Sequence, residues 1–129
     1  MTASKPVIVA IDDEVEFTLM LQEYFDLRGY DISIANKGVV GIELIKEKKP
    51  DVLILDLKMP GISGEEILKL TKGIQARAQV IFVTAYDDGG KTKAKLLNAG
   101  AYAYLDKPIS SLKILEEVVI DAYKRSSGD

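Results

Sequence analysis

Short apolar runs alternating with longer stretches of helical spacing narrow the folds open to this chain more than any other feature. The runs lie near residues 7–11, 31–35, 52–55, 80–84 and 103–105, and the helical stretches near 15–28, 37–48, 64–72, 91–98 and 111–124. Repeats of this kind predict a parallel sheet, because parallel neighbours need a crossover long enough to hold a helix. The first, third and fourth runs are continuously apolar, as strands covered on both faces should be. The second alternates, Asp31-Ile32-Ser33-Ile34, which suits a sheet edge.

Local signals punctuate the helices. Gly29 follows the first, Pro50 closes the second, and Ser63 with Glu66 three residues on makes a capping box for the third. Gly89-Gly90 precedes the fourth, where two glycines raise the cost of ordering the turn and mobility is expected. With 129 residues and 47% hydrophobic content the chain fills one core, taken as residues 1–125, leaving 126–129 as a flexible tail or the start of a linker.

Composition removes whole classes of chemistry. The chain has no cysteine, so it has no disulfide, thiol nucleophile or thiolate metal site. It has no histidine, which excludes a serine-type triad and most zinc sites. A net charge of −3 gives no reason to expect nucleic acid or membrane attraction, and the local clusters Lys46, Lys48, Lys49 and Lys91, Lys93, Lys95 read as solvated helix faces. No apolar run approaches the roughly 20 residues of a membrane span, and the first six residues lack the apolar core of a signal peptide, so a cytoplasmic location is expected.

The chemistry left to the chain gathers at the strand ends. Right-handed crossovers with helices on both faces leave few topologies, and a flavodoxin-like, doubly wound (βα)5 sandwich of strand order 2-1-3-4-5 leads. In that order the first and third strands are neighbours, and the crevice beyond their carboxyl ends is where open α/β sheets bind ligands. Asp12 and Asp13 end the first run, Asp56 ends the third, Thr84 ends the fourth and Lys107 follows the fifth. Two unit charges about 4 Å apart repel by about 4 kcal/mol at an effective dielectric near 20, so the carboxylates call for a cation or must titrate upward. An all-oxygen site with room for water suits Mg²⁺ or Mn²⁺. Taken one at a time, Asp13 or Glu14 reads as a helix-start acid, Thr84 as an ordinary strand end and Lys107 as a surface lysine; their conjunction carries the signal.

These residues resemble the receiver domain of two-component response regulators. The likeness rests on Asp12-Asp13, on the stretch from Asp56-Leu57-Lys58-Met59-Pro60-Gly61 to Gly64, on Thr84-Ala85, and on Gly100-Ala101 through Tyr104-Leu105-Asp106-Lys107-Pro108. That family has the 2-1-3-4-5 order, so the order is not an independent derivation. The resemblance implies that Asp56 accepts a phosphoryl group from a phosphohistidine on a sensor histidine kinase or a histidine phosphotransfer protein. It implies that Asp13, Asp56 and the Lys58 carbonyl bind Mg²⁺ directly, with Asp12 acting largely through water. Lys107 and Thr84 would hold phosphoryl oxygens, Lys107 pairing with Asp56 at rest, and Tyr104 would turn inward as Thr84 moves. Lys58 and Tyr86 would flank the water path and tune phosphoryl lifetime, and the Lys107–Pro108 peptide would be cis. A single-domain form is expected, whether free-standing or cut from a longer protein, with output to a target protein or homodimer partner through the fourth helix, fifth strand and fifth helix, where Ile114 and Ile120 lie off the core stripe. The chain departs from the family in Ile109, where an aromatic is common, and in Gly89-Gly90.

Two other readings fit less well. A haloacid-dehalogenase-like phosphatase needs a second acid two residues after its aspartate nucleophile, and here that residue is Lys58. A flavin-binding module needs a loop after the first strand that welcomes phosphate, and here that loop is Asp12-Asp13-Glu14.

Overall fold

Along each strand successive side chains point to opposite faces, and in the computed structural model both sets are buried in the first, third and fourth strands, while the second and fifth are partly open to solvent. The structure describes residues 5–126. Its elements are β1 (Val7–Ile11), α1 (Val15–Leu27), β2 (Asp31–Ala35), α2 (Gly38–Lys48), β3 (Val52–Leu55), α3 (Gly64–Ile74), β4 (Gln79–Thr84), α4 (Lys91–Asn98), β5 (Ala103–Asp106) and α5 (Leu112–Ser126). All pairings are parallel, and the order is β2-β1-β3-β4-β5, with the alternating second strand at an edge as expected.

The sheet divides the core in two. Val9, Ile11, Leu53, Leu55, Val80 and Phe82 meet Ile45 of α2, Ile67 and Leu68 of α3, and Leu96 of α4. On the other face Ile8, Ala10, Val52, Ile54, Ile81 and Val83 meet Leu21 and Phe25 of α1 and Leu115, Val119 and Ala122 of α5. Burying a side chain such as Phe25 or Leu53 stabilises the fold by about 2 kcal/mol, so this two-sided packing holds the strand ends in fixed register.

Several expected boundaries move. α2 starts at Gly38, one residue later than expected, and ends at Lys48 as expected, where the C-cap Lys49 takes φ 47° and donates its N–H to the Ile45 carbonyl. α3 runs past residue 72 through Gly73 to Ile74, and its Ser63–Glu66 capping box is present in both directions. α5 takes in Ser126, which the sequence reading assigned to a flexible tail. Arg77 donates two hydrogen bonds to the Ser126 carbonyl, at 3.1 and 2.8 Å, and extends the helix end. The rest of the expected tail, 127–129, lies outside the described residues. Both Gly89 and Gly90 have positive φ, 77° and 90°, in the turn that starts α4.

Candidate functional site

Ladder hydrogen bonds continue one residue past the strands and thereby set the site. The Asp12 N–H donates to the Ala35 carbonyl at 3.1 Å, the Asp56 N–H to the Ile11 carbonyl at 3.0 Å, and the Lys107 N–H to the Thr84 carbonyl at 3.0 Å. Asp12, Asp56 and Lys107 are therefore held at one sheet edge by backbone, with Thr84 closing β4 beside them. Gly64 brings α3 against the same edge: a Cβ there would lie 2.4 Å from the Asp56 carbonyl oxygen. No larger residue fits without displacing the strand end.

The sequence-predicted acids do converge. Carboxylate oxygens of Asp12, Asp13 and Asp56 all lie within 4.8 Å of one another, Asp13 exposed and the other two buried. Burial raises the Asp56 pKa, against the pull of the Thr84 hydroxyl and Lys107, and Asp13 adds to the rise. Burial likewise raises that of Asp12, against hydrogen bonds from Lys107 and the Glu14 N–H, with Asp56 adding repulsion. Hard oxygen donors, excess negative charge and one exposed member make a set that fits a small divalent cation.

Lys107 lies differently from expectation. Its ammonium is 2.7 Å from Asp12 Oδ2 and 3.9 Å from Asp56 Oδ2, so the anticipated pairing with Asp56 is the longer one. A second short contact goes to Glu14 Oε1, and the Phe17 ring centroid lies 4.6 Å away. Burial works against the charge on Lys107, but hydrogen bonds to Asp12 and Glu14 outweigh it and raise its pKa.

Aromatic groups close the β4 side. The Lys58 ammonium stands 4.5 Å from the Tyr86 ring centroid, and the Tyr86 N–H donates to Thr84 Oγ1 at 3.2 Å. Tyr104 is already turned inward, 8% exposed, with its hydroxyl donating to the Tyr86 carbonyl at 2.7 Å. The Lys107–Pro108 peptide is cis. Ile114 is exposed and Ile120 half-buried.

Two features escaped the sequence reading. Glu14 was taken only as a helix-start acid, although it meets Lys107 across 93 residues. Asn36 binds the Asp12 carbonyl at 2.9 Å and Thr18 Oγ1 at 2.8 Å, tying β2 to the site. Its position one residue past the second run was the available signal. Among the described residues no helix is long and apolar enough to cross a membrane.

Known proteins of the same design were found by sequence and by structure. A family profile for the response regulator receiver domain matches residues 8–119. Sporulation initiation phosphotransferase F of Bacillus subtilis is 32% identical over 111 residues, which span 86% of this chain and 89% of that protein. The receiver domain of a LuxO repressor protein from Vibrio parahaemolyticus superposes with TM-score 0.86 at 29% identity, covering 96% of this chain and 94% of that one. The response regulator TrrA from Thermotoga maritima, in complex with Mg²⁺ and beryllium fluoride, superposes with TM-score 0.78 at 29% identity, covering 92% and 99%. Curated relatives can be far longer, and the chain spans 23% of one and 48% of another.

Proposed function

The chain belongs to the response regulator receiver domain family, and on that premise we propose that Asp56 is the phosphoryl acceptor of a two-component system. The observation that carries this reading is the buried Asp56 carboxylate within 4.8 Å of two other carboxylates and 3.9 Å from a lysine. An ionised carboxylate is already a nucleophile and needs no general base, so the site's contribution is positioning and charge neutralisation. A phosphohistidine on a sensor histidine kinase or histidine phosphotransfer protein supplies the group. An Asp56 oxygen attacks phosphorus, the bond to the imidazole nitrogen breaks, and the nitrogen keeps the electron pair.

Asp13, Asp56 and the Lys58 carbonyl would hold Mg²⁺ or Mn²⁺, with Asp12 acting largely through water, and the ion would offset negative charge on the phosphoryl oxygens. Lys107 and the Thr84 hydroxyl bind those oxygens. The product carries a charge of about −1.5 to −2 and draws both toward it. Thr84 is bonded to the Tyr86 N–H and Tyr104 to the Tyr86 carbonyl, so a shift of Thr84 acts on the segment that Tyr104 grips. We assign Thr84 and Tyr104 as the switch, and the surface of α4, β5 and α5 as the output face for a target protein or a second copy. Residues 5–126 act as the receiver unit, in the cytoplasm and without nucleic acid contact of their own.

Incubation with a small acyl phosphate and Mg²⁺ tests the reading. Intact mass should rise by one phosphoryl group, with no gain in Asp56→Asn or with chelator. Undiminished labelling of Asp56→Asn would exclude Asp56 as the acceptor.

A further inference from the structure

Glu14 occupies the N-cap of α1, where Ser, Thr, Asp and Asn are favoured because a short side chain folds back onto the free N–H groups of the first turn. It makes no side-chain cap bond there. Its carboxylate instead accepts from Lys107, whose side chain is 12% exposed while that of Glu14 is 62% exposed. An ammonium has three donors. Asp12 and Glu14 engage it, the Phe17 ring covers it, and Asp56 at 3.9 Å is beyond a direct hydrogen bond.

We propose that Glu14 is a positioning residue that holds Lys107 on the Asp12 side of the crevice, so that Lys107 reaches a phosphoryl group on Asp56 only by releasing Glu14. This rests on the reading of Asp56 as the phosphoryl acceptor. The two bonds on Lys107 are unequal. Asp12 is buried and backbone-fixed, whereas an ion pair with one partner largely in water is weak and easily exchanged. Glu14 is thus the partner that yields when a more highly charged anion forms at Asp56. With an acyl phosphate donor, an Asp56 oxygen bonds to phosphorus, the phosphorus bond to the acyl oxygen breaks, and the carboxylate leaves with the electron pair. No proton moves, so Lys107 stays an ammonium and only its partners change.

A negative charge near the site would also slow an anionic donor by plain repulsion. Glu14→Asp separates the two effects, because it keeps the charge while the shorter side chain caps α1 and leaves Lys107. Labelling rates with an acyl phosphate and Mg²⁺ are compared for wild type, Glu14→Asp and Glu14→Ala. Both variants should label about two- to fivefold faster, the range expected when a half-exposed ion pair no longer competes. In wild type, the scalar coupling across the hydrogen bond from Lys107 Nζ to the Glu14 carboxylate carbon should be visible by NMR. It should vanish when beryllofluoride and Mg²⁺ are added. A Glu14→Asp rate at or below wild type overturns the proposal, as does a coupling that is absent at the start or persists with beryllofluoride. Wild type that takes no label on Asp56 overturns the acceptor reading and this one with it, whereas labelled wild type with unchanged Glu14→Asp removes only the role of Glu14.

Discussion

Two groups of buried carboxylates sit on this molecule, and they are arranged in opposite ways. Glu116, on the core face of α5, accepts from the Tyr30 hydroxyl at 2.7 Å and the Tyr24 hydroxyl at 2.9 Å, and pairs with Arg28 Nε at 2.8 Å. Burial pushes its pKa up, but these donors more than offset the push and hold it below the usual glutamate value. At the strand ends Asp12 and Asp56 face one another and Asp13 with one shared lysine, and both are raised. One carboxylate has donors enough to remain charged comfortably; the others have too few. A buried charge fully supplied with partners serves the fold, clamping α5 to the C-terminal end of α1, while a cluster kept short of them is ready for a cation and a phosphoryl group.

The same chemical change at the two places should have opposite signs. Glu116→Ala should cost about 3 kcal/mol, because three donors lose their acceptor, and Glu116→Gln about 2 kcal/mol. Asp56→Asn should instead stabilise the chain by about 1 kcal/mol by relieving repulsion. Urea unfolding of the variants checks this. Equal destabilisation by Asp56→Asn and Glu116→Gln would erase the contrast.

Acid sharpens it further. The folded pKa of Glu116 is depressed, so its stabilisation is complete above the ordinary value of 4.5 and is lost as pH falls through the folded pKa. The folded pKa of Asp56 is raised above 3.8, so its destabilisation is complete above the folded pKa and is gone below 3.8. The gain from Asp56→Asn should therefore fade as pH falls through the raised folded pKa of Asp56 toward 3.8, and the deficit of Glu116→Gln as pH falls from 4.5 toward the depressed folded pKa of Glu116. Melting curves of the three proteins between neutral pH and pH 3 check this, and a gain or a deficit that keeps its full neutral-pH size at pH 3 would contradict the assigned shift.

Mg²⁺ should act on one group alone. At ten times its dissociation constant it should stabilise wild type and Glu116→Gln by about 1.4 kcal/mol, a melting shift of about 5 °C, and leave Asp13→Asn nearly unmoved. The aromatic wall should affect kinetics and leave stability nearly untouched. Lys58 and Tyr86 stack at 4.5 Å beside the site. Replacing both by alanine should change phosphoryl lifetime by about tenfold, or about 1.4 kcal/mol in the barrier, with little effect on unfolding. An unchanged dephosphorylation rate would remove them from the site.

The contrast also explains what was legible in the sequence. Strand positions follow from local apolar runs, and the convergence of Asp12, Asp13, Asp56, Thr84 and Lys107 from the 2-1-3-4-5 order that the family resemblance supports, so both could be read along the chain. Helix ends were read less well because tertiary bonds decide them, as Arg77 does for Ser126. Glu14 and Glu116 were missed for a common reason. Their partners lie 93 and 86 residues away, and no local pattern records such a meeting. Glu116 did leave a trace: a carboxylate four residues after Leu112 falls on the apolar stripe of the fifth helix, where it needs a donor.

Chemical location of the phosphoryl group tests the central claim most directly. Wild type labelled by an acyl phosphate with Mg²⁺ is reduced with borohydride, which converts an aspartyl phosphate to homoserine, and its peptides are sequenced by mass spectrometry. Homoserine should appear at position 56 alone, and not without Mg²⁺. Homoserine at position 12 or 13 in place of 56, or a mass gain that yields none, would contradict the assignment of Asp56 as the acceptor.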